Sequence, residues 1–390
     1  MPSTFGTTLR VTIFGQSHSA AIGCVMEGLP SGLRVDPAAL ARFMARRAPG
    51  QGDWSTPRKE ADDELRFLAG LNPDGVTCGA PLALEIANAD TRPGDYADFL
   101  TIPRPGHADL TAWAKWHGNH DPRGGGHFSG RLTAPLCAAG AIALQVLEKR
   151  GVTIAAHLLS VADVDDVPFS ASAGSADPVG SLDAQIEGLK DRWGQGLPTI
   201  DEVAGRHMLA AIAAAKREGD SVGGVIECVA CGLPAGIGSP MFDGMESLIA
   251  HIVFGIPAVK GIEFGLGFGA ARLRGSQNND PYRMVGGRVR PTTNNAGGIL
   301  GGITTGLPLL FRMAVKPTPS IAKMQESVDL ANMRDVMLTV RGRHDPCIAP
   351  RAVPVAEAAA ALATLDAWLS FPPDDMTPRG DASHSDDPVR

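Results

Sequence analysis

The chain has 390 residues and a formal net charge of −7, although arginines concentrate locally in residues 34–66 and 272–290. Broad nucleic-acid binding usually requires a basic protein, so this charge argues against a nucleic-acid partner and leaves room for a small anionic ligand. The chain has six scattered cysteines, no signal sequence and no apolar run near the ~20 residues of a membrane span. These features argue against a secreted or membrane protein, so we expect a cytoplasmic one.

In the first 150 residues the pattern predicts two strands, two helices and one long loop. Alternating β-branched and polar residues favour a strand over 9–14, and a short apolar run favours another over 81–87. Asp36-Pro37 is a typical helix start, an N-cap residue followed by proline. Residues 88–126 are predicted to be mostly loop, and residues 133–150, apolar on nearly all sides, a buried helix.

The remaining chain predicts an alternation of strands and helices. Strands are expected over residues 152–164, 221–233, 259–264 and, with glycine interruptions, 299–315. Helices are expected over residues 203–218, 245–254 and, as an amphipathic final helix, 352–371. The polar tail, residues 372–390, is predicted to be disordered, which leaves residues 1–371 as a single domain.

These elements do not follow a regular βαβ repeat. Neither G-x-G-x-x-G between a strand and a helix nor G-x-x-x-x-G-K-[ST] occurs, which argues against a dinucleotide-binding or P-loop fold. We therefore predict an antiparallel α+β fold. Cys228 and Cys231 lie in a predicted strand with no second cysteine pair nearby, so we interpret them as structural reduced thiols.

Two short segments place a histidine where it could exchange a proton. Phe14-Gly15-Gln16-Ser17-His18 runs from a strand into a tight turn. Arg104-Pro105-Gly106-His107-Ala108-Asp109 gathers a cation, an imidazole and a carboxylate within six residues. Histidine titrates near neutral pH, and arginine offers a planar fork to phosphate or carboxylate. A satisfied core histidine and a surface salt bridge remain the alternatives for these two segments.

Three further segments favour a site for an anionic ligand. Residues 123–131 place three glycines before the buried helix, whose N-terminus carries a partial positive charge. Residues 292–320 combine paired glycines with Lys316, Thr318 and Ser320, which offer positive charge and hydroxyl donors. Residues 341–351 place arginines beside Asp345. A flexible turn and a helix-capping loop are the structural alternatives for the first and last segments.

The loop histidines raise a metal hypothesis. Its members would be His107, His117, His120, His127 and His344. No H-E-x-x-H sequence or paired C-x-x-C frames them, so the spacing argues against a metal site.

Taken together, these segments resemble the chorismate synthase family from Phe5 to about Leu369. The resemblance lies in motifs that occur in the same order, at residues 14–18, 104–109, 123–131, 218–221, 273–277, 295–302, 316–320 and 342–347, followed by 351–354. It implies a β-α-β sandwich of two antiparallel sheets with surrounding helices. It also implies conversion of 5-enolpyruvylshikimate 3-phosphate to chorismate by a carbon–oxygen lyase, the last step of the shikimate pathway. The implied cofactor is reduced FMN, used without net redox change.

The resemblance assigns roles to individual residues. The implied catalytic residues are His18, His107 and Asp345. The implied flavin contacts are His127, Phe128, Ser129, Pro257, Ala258, Gly301, Lys316, Pro317, Thr318, Pro319, Ser320 and Arg343. The implied contacts with the anionic groups of the substrate are Arg47, Arg104, Arg131 and Arg343. No metal is implied.

The chain departs from the family pattern at several positions. Many relatives have Glu at Gln16, Arg and Ser at His127 and Phe128, and Arg at Asp53. The departures at His127, Phe128 and Asp53 support one alternative, a flavin-binding protein without catalysis. A metal-dependent phosphohydrolase built on the loop histidines is the other.

The resemblance also implies partners. The expected assembly is a homotetramer, with neither nucleic acid nor membrane as a partner. Some relatives reduce their own flavin with a pyridine nucleotide such as NADPH. Because this sequence contains no reductase domain or dinucleotide fingerprint, we expect a separate reductase to supply reduced FMN.

Overall fold

The computed structural model describes residues 3–52, 54–55, 64–88, 99–171, 180–340 and 344–373. The strands of these ranges are β1 (Thr4–Phe5), β2 (Arg10–Gly15), β3 (Ala21–Glu27), β4 (Arg66–Ala69), β5 (Leu82–Ala87), β6 (Thr153–Val161), β7 (Val164–Asp165), β8 (Gly224–Cys231), β9 (Ala235–Gly238), β10 (Val259–Phe264), β11 (Tyr282–Val285), β12 (Arg288–Pro291), β13 (Ile299–Leu300), β14 (Ile303–Thr305), β15 (Leu309–Val315), β16 (Met324–Asp329) and β17 (Arg334–Thr339). The helices are α1 (Pro37–Arg47), α2 (Asp109–Trp116), α3 (Thr133–Glu148), α4 (Gly180–Asp191), α5 (Glu202–Arg217), α6 (Met245–Phe254), α7 (Gly275–Asn278) and α8 (Ala349–Ser370).

Two five-stranded antiparallel sheets form the framework. The first has the strand order β1-β2-β3-β5-β4, and the second has the order β10-β15-β8-β6-β7. Every strand pair in both sheets is antiparallel. Shorter pairings, β13-β14-β9, β11-β12 and β16-β17, extend from this framework.

A helical layer lies between the two sheets. Helix α3 contacts β2, β3 and β5 of the first sheet, while α8 contacts β6 and β8 of the second. The two helices pack against each other so closely that a side chain on Gly140 of α3 would overlap Ala358 of α8. The predicted α+β class and the β-α-β sandwich are therefore confirmed.

The core is built mainly from alanine and aliphatic side chains. Residues 353–367 of α8 are buried without a break, because α1, α3, α6 and the second sheet surround this helix. The prediction of an amphipathic last helix is therefore wrong. Because this helix is enclosed on all sides, it has no polar face.

Two segments, Arg123–Glu148, which includes α3, and Ala349–Ser370, which is α8, are long and apolar enough to cross a membrane by length and composition. This corrects the expectation that no segment approaches that length. Some 83% and 89% of their most apolar stretches are buried inside the protein, as in the core helices of soluble proteins.

Local sequence explains several element boundaries. Helix α1 begins where predicted, because the Asp36 carboxylate accepts hydrogen bonds from the Ala38 and Ala39 amides. The long loop predicted over residues 88–126 is wrong in part, since α2 occupies Asp109–Trp116. Residues 89–98 of that loop and the tail beyond residue 373 lie outside the described residues.

Candidate active site

One cavity of about 930 Å³ lies between the two sheets and the N-terminal end of α3. Its walls are drawn from segments far apart in the sequence. Of the residues predicted for the site, it is lined by His18, Arg47, Arg104, His107, His127, Phe128, Ser129, Arg131, Pro257, Ala258, Lys316, Thr318, Pro319, Ser320 and Asp345. Residues that the sequence predicts to share one site therefore lie together around one cavity in the structure.

A tight turn between β2 and β3 carries His18. The Ser19 hydroxyl lies within hydrogen-bonding distance of the backbone oxygens of Gln16 (2.9 Å) and Ala21 (2.7 Å). The Asn88 side-chain amide donates to the backbone oxygens of Gln16 (3.1 Å) and Ser19 (2.9 Å). Because these bonds fix the turn from both sides, the His18 ring is held at the cavity wall.

The three-glycine turn packs against both candidate catalytic histidines. Gly124, Gly125 and Gly126 all have φ between 55° and 85°, a left-handed conformation that glycine adopts without strain. A Cβ on Gly124 would lie 2.5 Å from His18 Nδ1, and one on Gly125 would lie 3.1 Å from His107 Nε2. We expected these glycines to admit a ligand, but their nearest neighbours include the two imidazole rings.

His107 belongs to a compact charged cluster with Arg104 and Asp109, which we call the cavity cluster. Asp109 Oδ1 lies 2.5 Å from His107 Nδ1, and Arg104 Nε donates to Asp109 Oδ2 (2.7 Å). Arg104 also donates through Nη2 to Asp109 Oδ1 (2.9 Å) and stacks on the Phe99 ring. Burial favours the neutral acid, but the hydrogen bonds from Arg104 and His107 outweigh it and hold the pKa of Asp109 well below its usual range.

Asp345 is clamped by an arginine from the first turn of α8. Arg351 donates through Nη1 to Asp345 Oδ2 (2.6 Å) and through Nε to the backbone oxygen of Arg47 (3.0 Å). Arg47, buried at the end of α1, donates to the Thr133 hydroxyl (3.1 Å) and to the backbone oxygen of Gly130 (3.2 Å). Asp345 is thereby fixed relative to the start of α3.

The neighbouring arginine, Arg46, takes no part in the cavity. It forms two hydrogen bonds with the buried Glu357 carboxylate (2.5 and 2.7 Å) and stacks on the Trp193 ring. The two adjacent arginines at the end of α1 therefore have different partners: Arg46 pairs with Glu357, and Arg47 lines the cavity.

The segment after β15 forms another wall of the cavity. Lys316 Nζ donates to the backbone oxygen of Gly106 (2.9 Å), and the Ser320 hydroxyl accepts from Arg104 Nη1 (3.3 Å). Between them, the Thr318 hydroxyl is buried and has no hydrogen-bond partner in the described residues. A buried hydroxyl without a partner at a cavity wall is a position for a ligand.

Several cavity residues had no role in the sequence prediction. Arg351 lay in a recognised motif, yet its contact with Asp345 became visible only in the fold. Lys260, His251 and Asn88 also line the cavity, and no motif singled them out. No group of three or more histidine, cysteine, aspartate or glutamate side chains in the described ranges could hold a metal ion.

Cys228 and Cys231 are free thiols on β8, as expected for structural cysteines. Burial raises the pKa of the Cys231 thiol to about 12 and that of Cys228 well above its ordinary value.

A protein-family model described as chorismate synthase matches residues 9–369 of the chain. The chain belongs to the chorismate synthase family. It is 50% identical to the chorismate synthase of Lancefieldella parvula over 95% of this chain and 97% of that relative. It is 44% identical to the chorismate synthase of Archaeoglobus fulgidus over 94% of this chain and 97% of that relative. A solved structure entitled "Crystal Structure of Chorismate Synthase" aligns with a TM-score of 0.70 at 26% identity, covering 94% of this chain and 93% of that one.

Two positions that the chorismate synthase pattern assigns to the flavin lie away from the cavity. Gly301 is in the turn between β13 and β14, and Pro317 faces Gly223; neither lines the cavity. Arg343 lies outside the described residues.

Both ring nitrogens of His127 lie within hydrogen-bonding distance of another group. Nε2 lies 2.7 Å from the Ser3 hydroxyl, and Nδ1 lies 2.8 Å from the backbone oxygen of Gly15. The imidazole therefore joins the N-terminal segment to β2 and offers the cavity its ring surface.

Proposed function

We propose that this chain converts 5-enolpyruvylshikimate 3-phosphate to chorismate with loss of phosphate, using reduced FMN without net redox change. The observation that carries the proposal is the convergence of His18, His107 and Asp345 on one cavity. That cavity is also lined by Arg47, Arg104, Arg131 and Arg351. A substrate with one phosphate and two carboxylates needs cations on several sides, and loss of phosphate and a ring proton needs a proton donor and a proton acceptor.

The cavity suits a flavin as well as the substrate. Its volume of about 930 Å³ lies near the upper end of the range for small-molecule sites, which leaves room for two ligands. The Thr318 hydroxyl supplies a hydrogen-bonding group without a protein partner. The residues that would hold the flavin are His127, Phe128, Ser129, Pro257, Ala258, Lys316, Thr318, Pro319 and Ser320. When bound, reduced FMN supplies the electron density that promotes departure of phosphate.

His107 is suited to stabilise the departing phosphate. Its ring is fixed on one side by Asp109 and on another by Gly125, which leaves little rotational freedom. An imidazole held at this position can donate a hydrogen bond to the leaving oxygen. Arg104 adds fixed positive charge beside it.

Asp345 is suited to act as the proton acceptor of the reaction. Arg351 holds the carboxylate in one orientation, so its oxygen can receive a proton without first reorganising. His18, fixed by its turn and by Gly124, is suited to maintain the charge state of the bound ligands.

The assembly and the supply of flavin are part of the same proposal. Exposed apolar side chains, among them Met241, Phe242 and Phe268, which are 76 to 84% exposed, support burial against further copies of the chain in a homotetramer. We propose that a separate cytoplasmic reductase supplies reduced FMN, which predicts that NADPH and oxidised FMN together give no turnover with the purified protein.

An anaerobic assay with chemically reduced FMN tests the proposed reaction. Chorismate should form with reduced FMN, fail to form with oxidised FMN alone, and form at the same rate in the presence of a chelator. Absence of product with folded protein and reduced FMN would overturn the proposal. Release of phosphate without chorismate, stopped by the chelator, would favour a metal-dependent phosphohydrolase instead.

A further inference from the structure

The hairpin formed by β16 and β17 holds the backbone segment that leads into the cavity cluster. The Ser327 hydroxyl donates to the backbone oxygen of Pro103 (2.5 Å). The Leu330 amide, in the turn of the hairpin, donates to the backbone oxygen of Thr101 (2.8 Å). Both acceptors come just before Arg104 in the sequence. The hairpin therefore fixes the backbone from which the Arg104 side chain extends.

Phe99 belongs to a small apolar cluster between this segment and the hairpin. Its buried neighbours are Leu338 of β17 and Val340, and Ile102 packs against them from the same segment as Phe99. Phe99 is only 7% exposed and does not line the cavity. Any influence of this ring on a bound ligand must therefore pass through a neighbouring side chain.

That neighbour is Arg104, whose guanidinium lies over the Phe99 ring with Cζ 4.6 Å from the ring centre. Asp109 accepts from Nε and Nη2 along one edge of the guanidinium (2.7 and 2.9 Å), whereas the contact of Nη1 with the Ser320 hydroxyl is longer (3.3 Å). A planar group bonded mainly along one edge can tilt about that edge. An aromatic ring against its face opposes the tilt, and the attraction between the cation and the ring adds to this effect.

We propose that Phe99 is a positioning residue for Arg104, because its ring holds the guanidinium in the orientation that binds an anionic group of the substrate. This inference rests on the proposed function, in which Arg104 contacts the substrate. It also gives a role to the hairpin of β16 and β17, which keeps the Phe99 ring in place.

Equilibrium binding tests the inference without measuring turnover. Calorimetric titration with 5-enolpyruvylshikimate 3-phosphate, in the presence of saturating oxidised FMN, measures substrate affinity. Fluorescence titration with oxidised FMN alone measures flavin affinity. Phe99→Leu removes the ring and keeps an apolar side chain in the cluster, whereas Phe99→Tyr keeps the ring. The matched control is Phe264→Leu, which removes a ring that packs against Phe311 (centroids 6.0 Å apart) and does not line the cavity.

Phe99→Leu should weaken substrate binding about 3- to 30-fold, as expected for loss of a contact between a guanidinium and a ring, and leave FMN affinity unchanged. Phe99→Tyr should retain most of the substrate affinity, and Phe264→Leu should bind both ligands as the wild type does. In an Arg104→Gln background, Phe99→Leu should cause no further loss, because the effects of two residues that act as a unit do not add.

The inference is overturned if Phe99→Leu leaves substrate affinity unchanged, weakens FMN binding equally, or causes the same loss in the Arg104→Gln background. A Phe99→Tyr variant as weak as Phe99→Leu, or a wild-type protein that does not bind the substrate, would overturn it as well. Should Phe99→Leu fail to fold, Phe99→Met, which keeps more of the side-chain volume, carries the same predictions.

These results are separate from the fate of the proposed reaction. Substrate affinity can depend on Phe99 in a protein that forms no chorismate. Conversely, chorismate can form in a protein whose substrate affinity does not depend on Phe99.

Discussion

His107 and His157 have similar partners and different surroundings. Each lies within hydrogen-bonding distance of a carboxylate that also pairs with an arginine: Asp109 with Arg104 in the cavity cluster, and Glu227 with Arg312 around His157. The His107 side chain is 16% exposed at a cavity, whereas the His157 side chain is 0% exposed. The same residue types therefore serve either catalysis or the stability of the fold, depending on whether a ligand can reach them.

The buried cluster consists of His157, Asp166, Glu227 and Arg312. His157 Nδ1 lies 3.0 Å from Asp166 Oδ2, and Nε2 lies 3.1 Å from Glu227 Oε2. Asp166 also accepts from the Ile200 and Asp201 amides (2.6 and 2.9 Å), so the cluster ties the segment before α5 to the second sheet. His157 does not line the cavity that His107 borders.

The largest expected effect is on turnover in the cavity cluster. His107→Ala should lower kcat by about 10²- to 10⁴-fold, the usual contribution of a positioned acid or base. Its melting temperature should change little, because the ring borders a cavity and α2 retains its other contacts. Steady-state kinetics under anaerobic conditions and a thermal melt measure the two quantities. A fall in stability that accounts for the lost activity would place His107 with the structural histidines.

In the buried cluster the main effect should be on stability. His157→Gln leaves two buried carboxylates competing for one amide, so the free energy of unfolding should fall by about 3–5 kcal/mol. Denaturant titration measures this loss. A change below about 1 kcal/mol would mean that water or neighbouring groups compensate for the missing imidazole.

The pH dependence of stability offers a finer distinction. Burial alone would lower the pKa of His157, but the hydrogen bonds and charges of Asp166 and Glu227 outweigh it and raise this pKa. The folded state then retains a proton that the unfolded chain releases above about pH 6.5. His157 should therefore stabilise the protein fully below that pH and progressively less as pH rises through its raised pKa.

Denaturant titrations across that pH range measure this slope. The His157→Gln variant should lack the part of the slope that His157 contributes, because glutamine does not titrate. An identical pH dependence in the variant and the wild type would contradict the assignment.

A smaller effect is expected at the glycine turn. Gly124→Ala places a Cβ against His18 in addition to the cost of a left-handed alanine, about 1–2 kcal/mol. Gly75→Ala is the matched control, because Gly75 also has a positive φ (73°) and its Cβ would meet no atom within 4 Å. Both variants should lose stability by similar backbone costs, and only Gly124→Ala should also lose turnover. Equal turnover in the two variants would show that the turn does not position His18.

The sequence predicts the site better than it predicts the periphery. Arg104, His107 and Asp109 lie within six residues, so their clustering is visible without a structure. The buried cluster is assembled from residues 157, 166, 227 and 312, and only the pairing of β6 with β7 and β8, and of β8 with β15, brings them together. Lys260, which lines the cavity at an irregularity in the pairing of β10 with β15, lies in no motif either.

Similar reasons explain the errors in secondary structure. Helix α8 is enclosed on all sides, so it lacks the polar face that an amphipathic pattern would require. The hairpin formed by β16 and β17 is rich in polar and exposed residues, and its stability depends on packing Leu338 and Val340 against Phe99. Such packing is a property of the tertiary structure and leaves little trace in local sequence.

The most direct test is to measure anaerobic chorismate formation per folded molecule for His107→Ala and His157→Gln side by side, well below both melting temperatures. His157→Gln should retain turnover within a few fold of the wild type, although it is much less stable. His107→Ala should be nearly inactive while remaining as stable as the wild type. Equal turnover in the two folded variants would contradict the claim that the cavity histidine carries the chemistry and the buried histidine carries stability.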